Sequence, residues 1–109
     1  MASPQLDDDG TAVTLDLHGA TVDEAVNLSL RTVRLAANRG RMRVTLIHGK
    51  STTRQGSLRT IKRALHDVLD DGGFAPHASE GWRADGHLVL SLSVTSSSDP
   101  TPITLRDVM

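Results

Sequence analysis

Hydrophobic and polar residues change rhythm along this chain, and each change marks an element. Across 12–18, Val13, Leu15 and Leu17 alternate with Thr14, Asp16 and His18, the period-two pattern of a half-buried strand. From Thr21 the period lengthens: Val22, Val26, Leu30, Val33 and Ala37 recur at helical spacing, and Thr21 with Glu24 reads as a capping box. This helix should end near 38–40, where Gly40 suits a left-handed cap. "RMRVTLIHG" predicts a second strand and "KSTTRQGS" a polar loop. A second helix is expected from about Ser57, with Leu58, Ile61, Leu65, Val68 and Leu69 as its apolar stripe, stopping at Gly72 and Gly73.

"FAPHASEGW" contains Pro76 and reads as an edge strand. "HLVLSLSV" alternates, with Leu88, Leu90, Leu92 and Val94 on one face. The order is βαβαββ, and the one-sided alternation predicts an α/β two-layer sandwich with two helices on one face of a four-stranded mixed sheet. One domain over 12–95 is expected, preceded by a flexible acidic tail (1–11) and followed by a C-terminal tail (96–109), weakly paired or disordered.

A chain of 109 residues can bury one modest core. It has no apolar run of membrane-spanning length, and "MASPQLDDDG" is acidic where a signal sequence would be basic and then apolar, so a cytoplasmic protein is expected. The absence of cysteine excludes disulfides and thiolate metal sites. Aromatics are limited to Phe74 and Trp82, which argues against base-stacking platforms; Trp82 reads either as a stacking residue or, more simply, as a hydrophobic anchor. The net charge of −1 conceals a segregation. From Arg31 to Arg63 the chain carries ten of its twelve basic residues and no Asp or Glu, a pattern that suits a polyanionic partner or, alternatively, a solvated helix face.

A strand–helix–strand unit of this length should run its strands parallel, placing His18-Gly19 and His48-Gly49 at two adjacent carboxyl ends, the edge where ligands collect in open α/β sheets. Glycine at each corner admits close approach of backbone N–H groups, and the following helix N-termini suit phosphate. Arg59, Lys62 and Arg63 in the first turns of the second helix oppose its dipole unless an anion lies there. Asp16 and His18, two apart on a strand, share a side. They suit either an oriented general base for phosphodiester cleavage or an ordinary polar strand end. His48 fits a core-rim histidine as well as a phosphate corner. His66, His77 and His87 lack ligand spacing, so a zinc site is not expected.

"LDLHGATVDEA", "VTLIHGK", "GSLRTIKRALHDVL" and "GHLVLSLSV", in that order over about 13–94, resemble the Smr (small MutS-related) domain family. The resemblance implies a βαβαββ sandwich like the C-terminal domain of translation initiation factor three. It also implies nicking endonuclease activity on DNA in some members and RNA cleavage in others. Its Leu-Asp-x-His motif falls on Leu15, Asp16, Leu17 and His18, and its His-Gly-x-Gly motif on His48, Gly49 and Lys50, with Ser51 in place of the second glycine.

The expected function is therefore a nucleic-acid endonuclease with Asp16, His18 and His48 catalytic. Gly19, Gly49, Lys50, Arg54, Arg59, Lys62 and Arg63 would bind the DNA or RNA backbone. The cofactor this admits is Mg2+ or Mn2+ through Asp16, although one carboxylate is a thin ligand set. The alternatives are a non-cleaving DNA or RNA structure-binding domain and a small scaffolding domain. No membrane partner is expected, and a monomer is favoured.

Overall fold

The computed structural model describes residues 4–48, 60–75, 77–78, 81–84, 86–93 and 99–109. Its elements are β1 (Gln5–Asp8), β2 (Ala12–Asp16), α1 (Val22–Asn38), β3 (Arg43–Ile47), α2 (Ile61–Asp70), β4 (Gly81–Arg83), β5 (His87–Ser91) and α3 (Leu105–Val108). They form a mixed α/β fold around a five-stranded sheet of order β1-β2-β3-β5-β4. Strands β2 and β3 are parallel, as a strand–helix–strand crossover requires, and the other pairings are antiparallel.

Strand alternation decides which face is buried. Val13, Leu15 and Leu17, Val44 and Leu46, and Leu88 and Leu90 are wholly buried, whereas Thr14, Asp16, Thr45, Ile47, His87 and Val89 are only partly so. Helix α1 packs on β2 and β3 and against α2 and α3. Its capping box is formed: Thr21 Oγ1 accepts from Glu24 N–H, and Glu24 Oε1 accepts from Thr21 N–H. Helix α2 is described from Ile61, where Thr60 in extended conformation accepts from Arg63 N–H and serves as its cap; Ser57 and Leu58 of the expected start lie outside the described residues.

Both tails differ from expectation. Gln5–Asp8 is not loose but pairs antiparallel with β2, closing through a turn in which Asp9 Oδ1 accepts from the N–H groups of Thr11 and Ala12, and Gly10 takes φ +94°. The sheet therefore has five strands in place of four. The C-terminal segment is also built in: Ile103 and Val108 belong to the core, and α3 adds a third helix. The physical reason is a buried ion pair. Arg41, fully buried, donates through Nε (2.8 Å) and a terminal nitrogen (2.9 Å) to the two carboxylate oxygens of Asp8. Its remaining donors reach the carbonyls of Arg39, Asp99 and Thr101, while Ile103 N–H donates to Asp8 Oδ2. One guanidinium thus ties β1, the end of α1 and the C-terminal segment together.

Candidate nucleic-acid site

Strand β2 ends at Asp16, but its ladder runs one bond further: Leu17 N–H donates to Ile47 O at 2.9 Å. Ala20 N–H then donates to Leu17 O, closing a tight turn around His18 and Gly19. Gly19 has φ +87°, the left-handed region that disfavours any side chain, so this corner needs glycine. The turn delivers the chain to Thr21 and α1.

Within that corner, His18 Nδ1 lies 2.5 Å from Asp16 Oδ1, and the same oxygen accepts the His18 backbone N–H at 3.0 Å. Both contacts hold the imidazole plane against the carboxylate. With Nδ1 carrying the proton toward Asp16, Nε2 is the basic nitrogen left for chemistry. The imidazole is about half exposed (53%), so the pair is accessible to a polymer substrate. Because Leu15 and Leu17 are buried beneath the helices, Asp16 leaves the sheet on the opposite face, which no helix among the described residues covers.

His48 follows β3 at the neighbouring carboxyl end, and its backbone N–H donates to Gly86 O. Its parity is that of Val44 and Leu46, and its ring meets His66 of α2 edge-on, with centroids 6.2 Å apart. The Asp16–His18 pair and His48 thus occupy adjacent strand ends but lie toward opposite layers. Sequence reading passed over His66 because it has no ligand spacing. The available signal was helical: Lys62, His66 and Asp70 are spaced by four and form one flank of α2. Burial, then the positive charges of Arg83, His48 and Lys62, hold the His66 imidazole below its ordinary value, with Asp70 opposing them. Arg83 of β4 in turn bonds to Asp70, keeping that carboxyl low.

The two helix N-termini are not equivalent. At α1 the first turn holds Asp23 and Glu24, and the Thr21 backbone N–H holds the Glu24 carboxyl below its usual range. An added phosphate there would meet carboxylates. The first turn of α2 has no acid and carries Lys62 and Arg63, so of the two N-termini only this one lacks carboxylates that would oppose an anion. Arg63 is exposed and lies 3.5 Å from Asp67, a surface pair one turn away. Gly49, Lys50, Arg54 and Arg59, expected to hold the backbone, lie outside the described residues, as does Ser51.

The acid-free segment is partly structural. Arg41 serves Asp8, and Arg39 donates to the carbonyls of Thr101 and Pro102. Among the described residues no three His, Asp or Glu side chains gather as a metal site, and no helix is long and apolar enough to cross a membrane.

A family model, the Smr domain, matches residues 15–87, from the start of the Leu-Asp-x-His corner to the first residue of β5. Neither the curated proteins nor the solved structures gave a match.

Proposed function

The chain belongs to the Smr domain family, a nuclease-related, nucleic-acid-binding family, and from that premise we propose that it is an endonuclease cutting phosphodiester bonds in DNA or RNA. The observation that carries this reading is the Asp16–His18 contact: a carboxylate-oriented, half-exposed imidazole at the carboxyl end of a parallel strand. In the proposed reaction, His18 Nε2 takes a proton from the attacking water as its oxygen bonds to phosphorus. The bond from phosphorus to the leaving oxygen then breaks, and that oxygen takes a proton from solvent. Asp16 holds the imidazole and stabilises its charged form. Lys62 and Arg63, with Lys50, Arg54 and Arg59, are proposed to hold the backbone, and Gly19 and Gly49 to let it approach. His48, the third residue expected at this site, turns its ring to the helix layer beside His66 and is given no step on the phosphate. The acting unit is a cytoplasmic monomer.

Among the described residues no three His, Asp or Glu side chains gather around Asp16 to hold Mg2+ or Mn2+, and its Oδ1 already accepts twice from His18. The described donor set does not by itself fit a resident ion, and no step is routed through one.

The test is purified protein on supercoiled plasmid and on structured RNA, with magnesium, manganese or chelator, beside Asp16→Asn and His18→Ala. Cutting by the wild type that both substitutions abolish is expected. A non-cleaving binder is the second reading, favoured by Ser51 where the family motif has glycine. It takes over if nothing is cut while nucleic acid is bound in a steeply salt-dependent way.

A further inference from the structure

The helices cover one face of the sheet, and the other carries the Asp16–His18 corner together with an unused aromatic. Trp82, the one tryptophan of the chain, is 74% exposed on edge strand β4, so it is not the hydrophobic anchor its sequence context suggested. Cross-strand register places it in a row with Val89, Thr45, Thr14 and Asp7. The next row toward the carboxyl ends of β2 and β3 is His87, Ile47 and Asp16, and the row below is Ser91, Arg43 and Ala12. Arg43, Trp82, Val89 and Ser91, with the backbone of Gly81, line a shallow depression on this face.

We propose that this uncovered face binds a single-stranded segment of the nucleic-acid substrate, with a base stacked on Trp82 and a neighbouring phosphate on Arg43. This rests on the endonuclease reading and names its substrate class. Charge distribution sets the path: Asp7 and Asp16 lie on the β1–β2 side, and the exposed Arg43 and Trp82 on the β3–β5–β4 side. Trp82 provides a π-face that accepts any base, Val89 beside it is apolar, and Arg43 supplies the charge a phosphate needs. Continuity sets the destination. Trp82 stands three strands and one row of same-facing residues from Asp16, roughly 16 Å at ~4.8 Å between strands and ~3.3 Å per residue. That is the length of about five stacked nucleotides at ~3.4 Å each. A base pair hides both base faces within its stack, so a duplex cannot offer one to Trp82 without unstacking, whereas a single strand can.

The sole tryptophan is its own reporter. Asp16→Asn protein, with and without Trp82→Ala or Trp82→Phe, is titrated with a labelled twelve-nucleotide oligothymidylate, an oligouridylate and a blunt duplex of the same length. Tryptophan emission and label anisotropy are followed together. Both single strands should quench Trp82 and the duplex should not. Trp82→Ala should weaken single-strand binding on the order of tenfold or more, and Trp82→Phe should recover most of it. Binding with unchanged emission and an unchanged Kd in Trp82→Ala overturns the proposal but leaves cutting by the wild type to stand. Equal quenching by duplex overturns the single-strand assignment. Emission that shifts with protein concentration alone, with a dimer in sedimentation, assigns the face to a second copy and overturns it as well. No binding to any nucleic acid overturns both this proposal and the endonuclease reading beneath it.

Discussion

Replacing Arg41 by Met keeps the length of the side chain and removes its charge and all five of its hydrogen bonds. Asp8, whose side chain is 1% exposed, is left with the N–H groups of Ile103 and Gly10. Burial pushes the Asp8 carboxyl up, but the Arg41 hydrogen bonds, those two N–H groups and the Arg41 charge outweigh it and bring the group down from 3.8 to about 2. That displacement corresponds to on the order of 2 kcal/mol. Three carbonyls also lose a donor, although Thr101 O keeps Arg39 and Arg39 O keeps the Asp99 N–H, so the whole effect should reach ~3–5 kcal/mol, the usual cost of breaking one side of a buried ion pair. Against a total stability of ~5–15 kcal/mol this is severe.

The sign follows from the depressed carboxyl. Its contribution is fully present above 3.8 and is lost as pH falls through about 2. The assay is urea unfolding followed by far-ultraviolet circular dichroism, because Trp82 is too exposed to report on the core. The wild type and Arg41→Met should differ by ~3–5 kcal/mol at neutral pH and by less at about pH 2. Arg41→Lys should fall between them, since an ammonium cannot span Asp8 and the carbonyls at once. A neutral-pH difference below ~1 kcal/mol, or one that does not shrink in acid, would refute the assignment of this ion pair as the clasp of both termini.

Other outcomes follow from the same structure. Asp16→Asn should leave affinity for nucleic acid within about twofold while turnover falls ~10²–10⁴-fold, the usual contribution of an oriented general base; equal losses of binding and turnover would contradict its role. Gly19→Ala should cost about 1–2 kcal/mol of stability from the φ of +87° and disturb the His18 corner, as unfolding and cleavage assays would show together. Thr21→Ala should cost ~1 kcal/mol by removing the α1 capping box, with no change in cleavage chemistry. His66 is held neutral below its ordinary value of 6.5, so its contribution to stability should fall as pH drops through that value. His66→Leu should flatten this slope in pH-dependent melting.

Much of the fold was legible because local chemistry and global packing agree. The β2–α1–β3 unit follows from alternation, then helical period, then alternation again, and the Thr21–Glu24 cap marks the junction within one residue. Strand period predicts that Asp16 and His18 share a side, and they do meet, but through the turn that follows β2, where the Asp16 carboxylate accepts the His18 backbone N–H. The N-terminal strand was hidden by composition. "LDDDG" reads as a solvated acidic run, although Asp-Gly is a hairpin signal, and its three carboxylates go to three fates: Asp7 exposed, Asp8 buried, Asp9 in the turn.

Sequence by itself determined the elements, the parallel pair and the Asp16–His18 corner, because each depends on residues near one another in the chain. Only the tertiary structure decided which basic residues are free for a polyanion, since Arg41 meets Asp8 across 33 positions and Asp99 across 58. It also decided that His66 faces His48, that the C-terminal segment belongs to the core, and that Trp82 stands in solvent on the uncovered face. Those are consequences of long-range closure: a side chain's partner is set by whatever the folded backbone brings beside it, and no local period encodes that.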